Sequence, residues 1–408
     1  MTEPARSDRE RESERSLARL TFAKGVSNTS LRWFGPFLPT LESAFGATTT
    51  QLTTILGIGE LAGLSTLLTG RQLDRGRERL IVVLGMVATS VGCLVALVGT
   101  TLWFAAAVIL VVFGVVNVTA AGHAFIGHRV PYERRGRAIG LFETSWALSL
   151  LVGAPIVAAL IGLTGWRGPF AVLAVANVSA AALVARAHVR AVRAARSAPS
   201  ASTGAEELES AVPSEPGNPF RLPLRAWLTV AGSGFIGFTG LAVFAISGAW
   251  LDDAFGVSTG GLGVVAMGFG AVELASSLSS ARFADRWGKL RSTVAGLALL
   301  IVGLGIMSIA DDRLSVGVIG ILTFLVGFEF AIVTSISLVT EAAPEARGRT
   351  VVAAAASGTI ARAGGAVASG WLYSRSGVDG SAAIAAAGSA LAIVLFLGGS
   401  AGAEPTVS

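Results

Sequence analysis

The sequence predicts an all-α integral membrane protein, with twelve transmembrane helices in two pseudo-symmetric six-helix bundles. Three observations carry this. The 408 residues are 52% hydrophobic and only 14% charged, with a mean hydropathy of +0.69. A soluble globular chain carries about 25% charged residues. The charges also collect in short loops, leaving apolar runs of about 18 residues or more, the length that spans a bilayer. Finally, two basic loops recur at a fixed distance. GRQLDRGRER (70–79) is echoed by ARFADRWGKLR (281–291), with Asp74 and Asp285 211 residues apart. Arg135-Gly136-Arg137 returns as Arg347-Gly348-Arg349 at an offset of 212. A repeat of such long period is architectural and marks two related halves.

The elements follow in order. Residues 1–16 form a mixed-charge tail without apolar periodicity, expected to be unstructured and cytoplasmic. The N-terminal bundle, 17–189, holds helix 1 over 17–41 and helix 2 over 51–72, then the first basic loop. Helix 3 covers 80–99 and helix 4 covers 102–125; the loop HRVPYERRGR leads to helix 5 over 137–163. Gly165-Trp166-Arg167-Gly168-Pro169 makes a tight turn into helix 6, 170–189. Over 190–223 Ser, Ala, Pro, Glu and Arg replace the apolar pattern, which predicts a cytoplasmic linker. The C-terminal bundle, 224–400, repeats the plan with helices 7 (224–251), 8 (260–282), 9 (292–310), 10 (314–340), 11 (349–373) and 12 (380–399). Residues 401–408 are a short tail.

All but five of the 31 Lys and Arg fall in the N-terminal segment and in the loops after even-numbered helices. Arg167, Arg313 and Arg375 lie on the other side, and Arg32 and Arg362 lie within spans. Positive charge stays cytoplasmic, so both termini and the linker are expected in the cytoplasm and the chain in the plasma (inner) membrane. The net charge of +5 therefore reads as topology and lipid contact, with no nucleic-acid partner. Enzyme classes lack support. There is no HExxH or Cys/His metal set, His123 and His128 are five residues apart, and Cys93 is the only cysteine. Lys24 and Lys289 are the only lysines, and neither sits in a G-x-x-x-x-G-K loop that would bind a nucleotide. No cofactor is expected; a proton gradient would supply the energy.

Charge inside hydrocarbon costs roughly 2.5–3.5 kcal/mol per group even on insertion scales. Six such residues lie well inside spans: Arg32, Glu60, Glu143, Glu273, Glu329 and Arg362, with His123 near the end of helix 4. Helices 3, 6, 9 and 12 carry none in their interiors, so the remaining helices enclose something polar. At about 1.5 Å per residue, Glu60, Arg32 and Arg362 lie about 21 Å from the basic-loop border, Glu273 about 18 Å and Glu143 about 10 Å. Glu60 can thus reach an Arg at its own level, whereas Glu143 and Glu273 are poorly matched for a direct pair. Glu60-Leu61-Ala62 resembles Glu273-Leu274-Ala275, but at an offset of 213 instead of 211. Two residues turn a helix by about 200°, so without a bulge the two carboxyls face different ways. Glu273 and Glu329 are the leading proton-coupling residues, followed by Glu60 and Glu143, with Arg32 and Arg362 as their partners. The plain alternative, strongest for Glu60, is a permanent Glu–Arg clamp. Trp33, Phe34, Phe37, Phe235, Phe238, Phe244, Phe328 and Phe330 are aromatic cavity candidates, with Asn117 and His123 adding polarity, although packing is the commoner role of such rings.

Two sixfold halves, a central linker and the loop pattern together resemble the major facilitator superfamily over residues 17–400. The family loop reads roughly G-x-L-x-D-R-x-G-R-R. The first copy matches at Gly70, Leu73, Asp74 and Arg75 and runs one residue short before Gly76; the second matches at Asp285, Arg286, Gly288 and Lys289. The run from Pro131 to Arg137 is also typical of the family. The resemblance implies a cavity lined by helices 1, 4, 7 and 10 and flanked by 2, 5, 8 and 11. It also implies that Asp74 and Asp285 latch onto the N-termini of helices 11 and 5, where a carboxylate meets free N–H groups and the helix dipole. The Arg that proton-driven exporters carry in helix 4 is absent from VVFGVVNVTAAGHAF, and Pro155 sits one position late for their helix 5 pattern. The expected function is secondary active transport by alternating access, with a small-molecule substrate and protons as partners and export by antiport as the lead. Proton-coupled uptake of a small metabolite, or a transporter-like sensor, are the alternatives. A monomer is expected.

Overall fold

The computed structural model describes residues 3–197 and 222–400, and these are helical throughout, with no strand. Ten helices are long and apolar enough to cross a membrane. One of them, Arg347–Ser400, is two spans, because the backbone leaves helical geometry at Gly377 (φ 60°, ψ −150°). Helix 1 adds the twelfth crossing through Leu17–Arg32, although charge lowers the hydropathy of the whole Glu3–Arg32 helix. That helix begins at Glu3, so the N-terminal segment is helical where an unstructured tail was expected. Helix 6, Arg167–Ser197, likewise runs past 189 into the segment read as linker. Residues 198–221 and the tail 401–408 lie outside the described residues.

The two first helices of each half are broken at matching places. Helix 1 stops at Arg32 and resumes as Leu38–Phe45. Helix 7 is Leu224–Phe244 followed by Ser247–Phe255. In helix 1 the break contains Gly35 and Pro36, and a proline cannot donate the next helical hydrogen bond. Helix 2 is Thr49–Glu60, a 3-10 stretch Leu61–Ser65, and Thr66–Asp74, opened by a capping box in which Thr48 and Gln51 exchange hydrogen bonds. Helix 3 is Glu78–Ala96, helix 4 Thr101–Arg129, and helix 5 Tyr132–Leu151 continued by Gly153–Thr164. Helices 8, 9 and 10 are Thr259–Trp287, Lys289–Ser308 and Leu314–Glu341.

The end of the bundle that carries the two motif loops is called here the basic end, and the opposite end the far end. The halves meet along the far end. The Gly248 N–H donates to the Gly35 carbonyl (3.2 Å), joining the two helix breaks across the seam. The backbones come so close that a Cβ on Gly248 would run into the carbonyl of Pro36. Helix 2 packs on helix 11 from Thr50, whose hydroxyl donates to the Gly370 carbonyl at 3.0 Å, through Gly57 against Ala363, to Gly63 against Thr359. Helix 5 packs on helix 8 through Ala158 against Gly263 and Ala147 against Gly270. Toward the basic end this contact stops. Among the described residues, nothing lies within 4 Å of where a Cβ would stand on Gly70, Gly136, Gly140 or Gly348. Among the described residues, the close contacts between the halves therefore lie toward the far end.

Candidate functional site

Among the described residues, two ion pairs cross between the halves. Arg32 of helix 1 grips Glu273 of helix 8 with both η nitrogens, at 2.7 and 2.5 Å, and both side chains are buried. The same guanidinium donates to the Trp146 carbonyl (2.8 Å) and lies over the Trp146 ring, 4.2 Å from its centroid. Phe244 approaches it at 5.4 Å. The second pair joins Glu60 of helix 2 to Nε of Arg362 of helix 11 at 2.7 Å. It is less enclosed, with Arg362 37% exposed.

Depth along the helices anticipates the second pair and not the first. Glu273 was placed too shallow for a partner, yet it holds Arg32; the gap of about 3 Å is within the reach of an arginine side chain. The two glutamates also turn out to do corresponding jobs, each on the second helix of its half and each bridging to an Arg of the other half. The 3-10 stretch after Glu60 is the bulge that the offset required. At three residues per turn its five residues add about 100° of rotation, which leaves roughly 60° of the mismatch. Asn117 holds this stretch. Its Nδ2 donates to Ser65 Oγ and the Phe113 carbonyl, both 2.8 Å, and Thr69 Oγ1 donates to its Oδ1 at 2.7 Å. Asn117 is thus a fully bonded helix 2–helix 4 contact, not a cavity group.

Glu329 of helix 10 is buried, accepts from Ser277 Oγ at 3.0 Å, and feels the charges of Glu273, Arg32 and Glu143. Glu329 is bonded to Ser277 and not to Arg32, whose guanidinium is taken up by Glu273. Glu143 itself is paired within the N-terminal half, where Lys24 Nζ and His123 Nε2 each approach it at 2.7 Å, on different oxygens. Lys24 was missed by the sequence analysis, which counted it with the N-terminal positive charge. Its spacing of eight residues from Arg32, two helical turns, was the available signal. No feature of the sequence set Trp146 apart from a lipid-facing ring.

The aromatic candidates divide. Trp33, Phe34 and Phe37 are buried in a far-end cluster with Phe104 and Phe170, with ring centroids 4.9 Å apart for Trp33 and Phe170. They pack against one another at the far end. Phe330 meets Gly296 of helix 9, turned away from the seam, whereas Phe238 and Phe235 are half-buried neighbours at 6.0 Å on helix 7. A recess of about 560 Å³ lies at the far end between the halves, bordered by Thr40, Ser43, Trp166, Asp252 and Ser258, away from the buried charges.

At the basic end, Gly76 and Gly288 both adopt positive φ, 71° and 84°, which explains why each loop needs glycine there. The latch expected of Asp74 is not engaged among the described residues. Asp74 is exposed at the end of helix 2 and makes no hydrogen bond or ion pair among the described residues, because helix 11 has parted from that end of helix 2. The side chain of Asp285 lies outside the described residues. Arg75 and Arg286 are exposed, and Lys289 pairs with Glu341 of its own half, stapling helix 9 to helix 10. The N-terminal half has the counterpart, buried Glu78 of helix 3 with His128 of helix 4 at 2.5 Å.

A twelve-helix, two-halved bundle with paired charges across its seam has a known likeness. The Major Facilitator Superfamily family model matches residues 20–248 and 230–407. The chain belongs to this superfamily. Its apolar helices make it a multi-pass membrane protein. Among curated relatives, it is 26% identical to "Uncharacterized MFS-type transporter YwfA" of Bacillus subtilis (strain 168), over 67% of this chain and 63% of the relative. It is 28% identical to "Probable L-galactonate transporter" of Escherichia coli (strain K12), over 34% of this chain and 31% of that protein. The matches thus span under two thirds of either relative. Solved structures share the fold. A bacterial homologue of the human lysosomal transporter Spinster, inward-facing and occupied, superposes with a TM-score of 0.69 at 14% identity, over 98% of this chain and 96% of that one. The inward-open xylose transporter XylE from E. coli gives 0.70 at 13%, over 95% and 96%.

Proposed function

We propose that this chain is a proton-coupled secondary transporter of the plasma (inner) membrane, with both termini cytoplasmic, that exports a small organic molecule by antiport. In that orientation the basic end is the cytoplasmic one, and the structure is an inward-facing state. The observation that carries the coupling is a buried Glu329, bonded only to Ser277, near an Arg32 that is already taken up by Glu273. With Arg32 committed to Glu273, a charged Glu329 would stand uncompensated in a buried site, at a cost of several kcal/mol. A proton on Glu329 removes that cost. When the halves rock and the far end opens, Arg32 and Glu273 must separate, and the freed guanidinium can take Glu329 in their place. Proton occupancy and the direction of opening are then linked, as alternating access about a midplane site requires.

Uptake by symport is the second reading. It is favoured by the likeness to the D-xylose–proton symporter (TM-score 0.70, 14% identity over 93% of this chain and 96% of that one) and by the L-galactonate transporter relative. One experiment separates the two. The chain is expressed in a host lacking its main exporters, and accumulation of labelled dyes, antibiotics and sugar acids is followed with and without a protonophore. Lower accumulation that the protonophore abolishes is the expected result, and Glu273→Gln and Glu329→Gln should each remove it. Protonophore-sensitive accumulation above the background would reverse the direction. Binding without flux would mark a sensor.

A further inference from the structure

Helix 1 carries buried polar groups that the Arg32 centre does not use. Lys24, Asn28 and Arg32 follow one another at four-residue spacing, about one turn each, along one side of the helix. Lys24 is 1% exposed, and its ammonium lies 4.3 Å from the centre of the Phe142 ring as well as against Glu143. One carboxylate thus joins a cation from helix 1 to an imidazole from helix 4. The burial is one-sided. Glu143 and His123 are 44% and 46% exposed. One turn deeper, Asn28 is fully buried, and neither its Oδ1 nor its Nδ2 has a hydrogen-bond partner. A buried amide with nothing to bond is unfavourable, and inside a membrane bundle such a group marks a functional path. Glu143 and Glu329 feel each other's charge across the seam.

We propose that Lys24, Asn28, Glu143 and His123 form a second proton-exchange station, through which a proton passes between Glu329 and water at the basic end. The proposal rests on the proton-coupled reading above. The O–H bond of Glu329 breaks, and solvent entering from the exposed side of His123 would relay the proton to its imidazole. That ring already uses Nε2 toward Glu143, so the arriving proton binds Nδ1. It leaves again from Nδ1 to solvent, and Glu329 is left as a carboxylate. Histidine suits this because it gains and loses a proton near neutral pH. Lys24 stays charged throughout. It holds Glu143 in place and balances it while the imidazole is neutral. Asn28 gives the Lys24 ammonium an acceptor one turn away when Glu143 turns toward the protonated ring. The charged groups facing the station are Glu329 of helix 10 and the Arg32–Glu273 pair of helices 1 and 8. On helices 3 and 4, Glu78 and His128 close on each other.

The chain has three histidines, His123, His128 and His188, so nitrogen-15 histidine NMR of the full protein in nanodiscs resolves each titration. The expected result is that Glu143→Gln and Glu329→Gln each displace the His123 midpoint by about half a pH unit or more, while His188 keeps its own. Lys24→Met should displace it as well. A His123 midpoint that ignores Glu329→Gln overturns the station. If protonophore-sensitive transport persists in that case, coupling stands and the proton takes another path. A responsive His123 in a chain whose transport ignores the protonophore removes the coupling reading, and with it the role of the station.

Discussion

At the scale of single residues, the Arg32–Glu273 pair decides most. Both partners are buried, and removing one member of a buried pair typically costs about 3–5 kcal/mol, because the other charge is left stranded. Arg32→Gln should therefore lower the apparent unfolding temperature in detergent clearly more than the double change Arg32→Gln with Glu273→Gln, while transport is lost in both. Equal loss of stability in the single and double variants would mean that the pair carries no such penalty. Arg362→Gln should cost less than Arg32→Gln, since Arg362 is 37% exposed and water screens it. The sequence made these charges conspicuous, because every one of them interrupts an apolar run. It did not show which would meet. Pairing depends on side-chain reach and helix rotation, and depth counted along straight helices captures neither. Glu60 and Arg362 were legible since they lie at one level. Glu273 was not, and Lys24 was hidden by its nearness to the positive N-terminal segment.

At the scale of elements, the breaks in helices 1 and 7 build the seal. Both helices were read as unbroken, over 17–41 and 224–251; Gly35 and Pro36 were an available signal for the first break, whereas the second, at Ala245 and Ile246, has no proline. The backbones touch where Gly248 meets Gly35 and Pro36. Gly248→Leu should keep the far end from closing. The variant is expected to reach the membrane but not transport, and a cysteine at Ala249, buried at the seam here, should then react with a membrane-impermeant maleimide. No labelling of Ala249→Cys in that background would place the seal elsewhere. The 3-10 stretch of helix 2 was equally invisible in advance. Nothing in Leu61–Ser65 forbids an α-helix, and the hydrogen bonds from Asn117 and Thr69 belong to tertiary structure.

At the scale of the whole molecule, the sealed far end gathers acidic groups from both halves. Glu42, beyond the end of helix 1 proper, has its carboxyl pushed above the ordinary value of 4.5. Burial is the main cause, and the charges of Asp253 and Asp252 add to it against a hydrogen bond from Thr49. A raised carboxyl favours the closed arrangement in its neutral form. That advantage is complete below 4.5 and is lost as pH rises through the higher closed-state value. Lowering the pH at the far end should thus slow maleimide labelling of Ala249→Cys relative to an exposed Thr48→Cys control, both in a Cys93→Ser background. Glu42→Gln should flatten that dependence. A pH response unaltered by Glu42→Gln would assign it to another group.

The crossed arrangement of the two ion pairs has an electrical consequence. Each half brings one cation and one anion to the seam, Arg32 with Glu60 on one side and Arg362 with Glu273 on the other. Lys24 and Glu143 cancel likewise inside the N-terminal half. Rocking of the halves thus carries no net charge from these six groups through the transmembrane field, where each elementary charge is worth about 2.3 kcal/mol per 100 mV. Among the described seam residues, Glu329 is left without a cation of its own. Under the proposed coupling, the membrane voltage would act through the proton on Glu329 and through whatever charge the substrate brings, with no net contribution from these six groups.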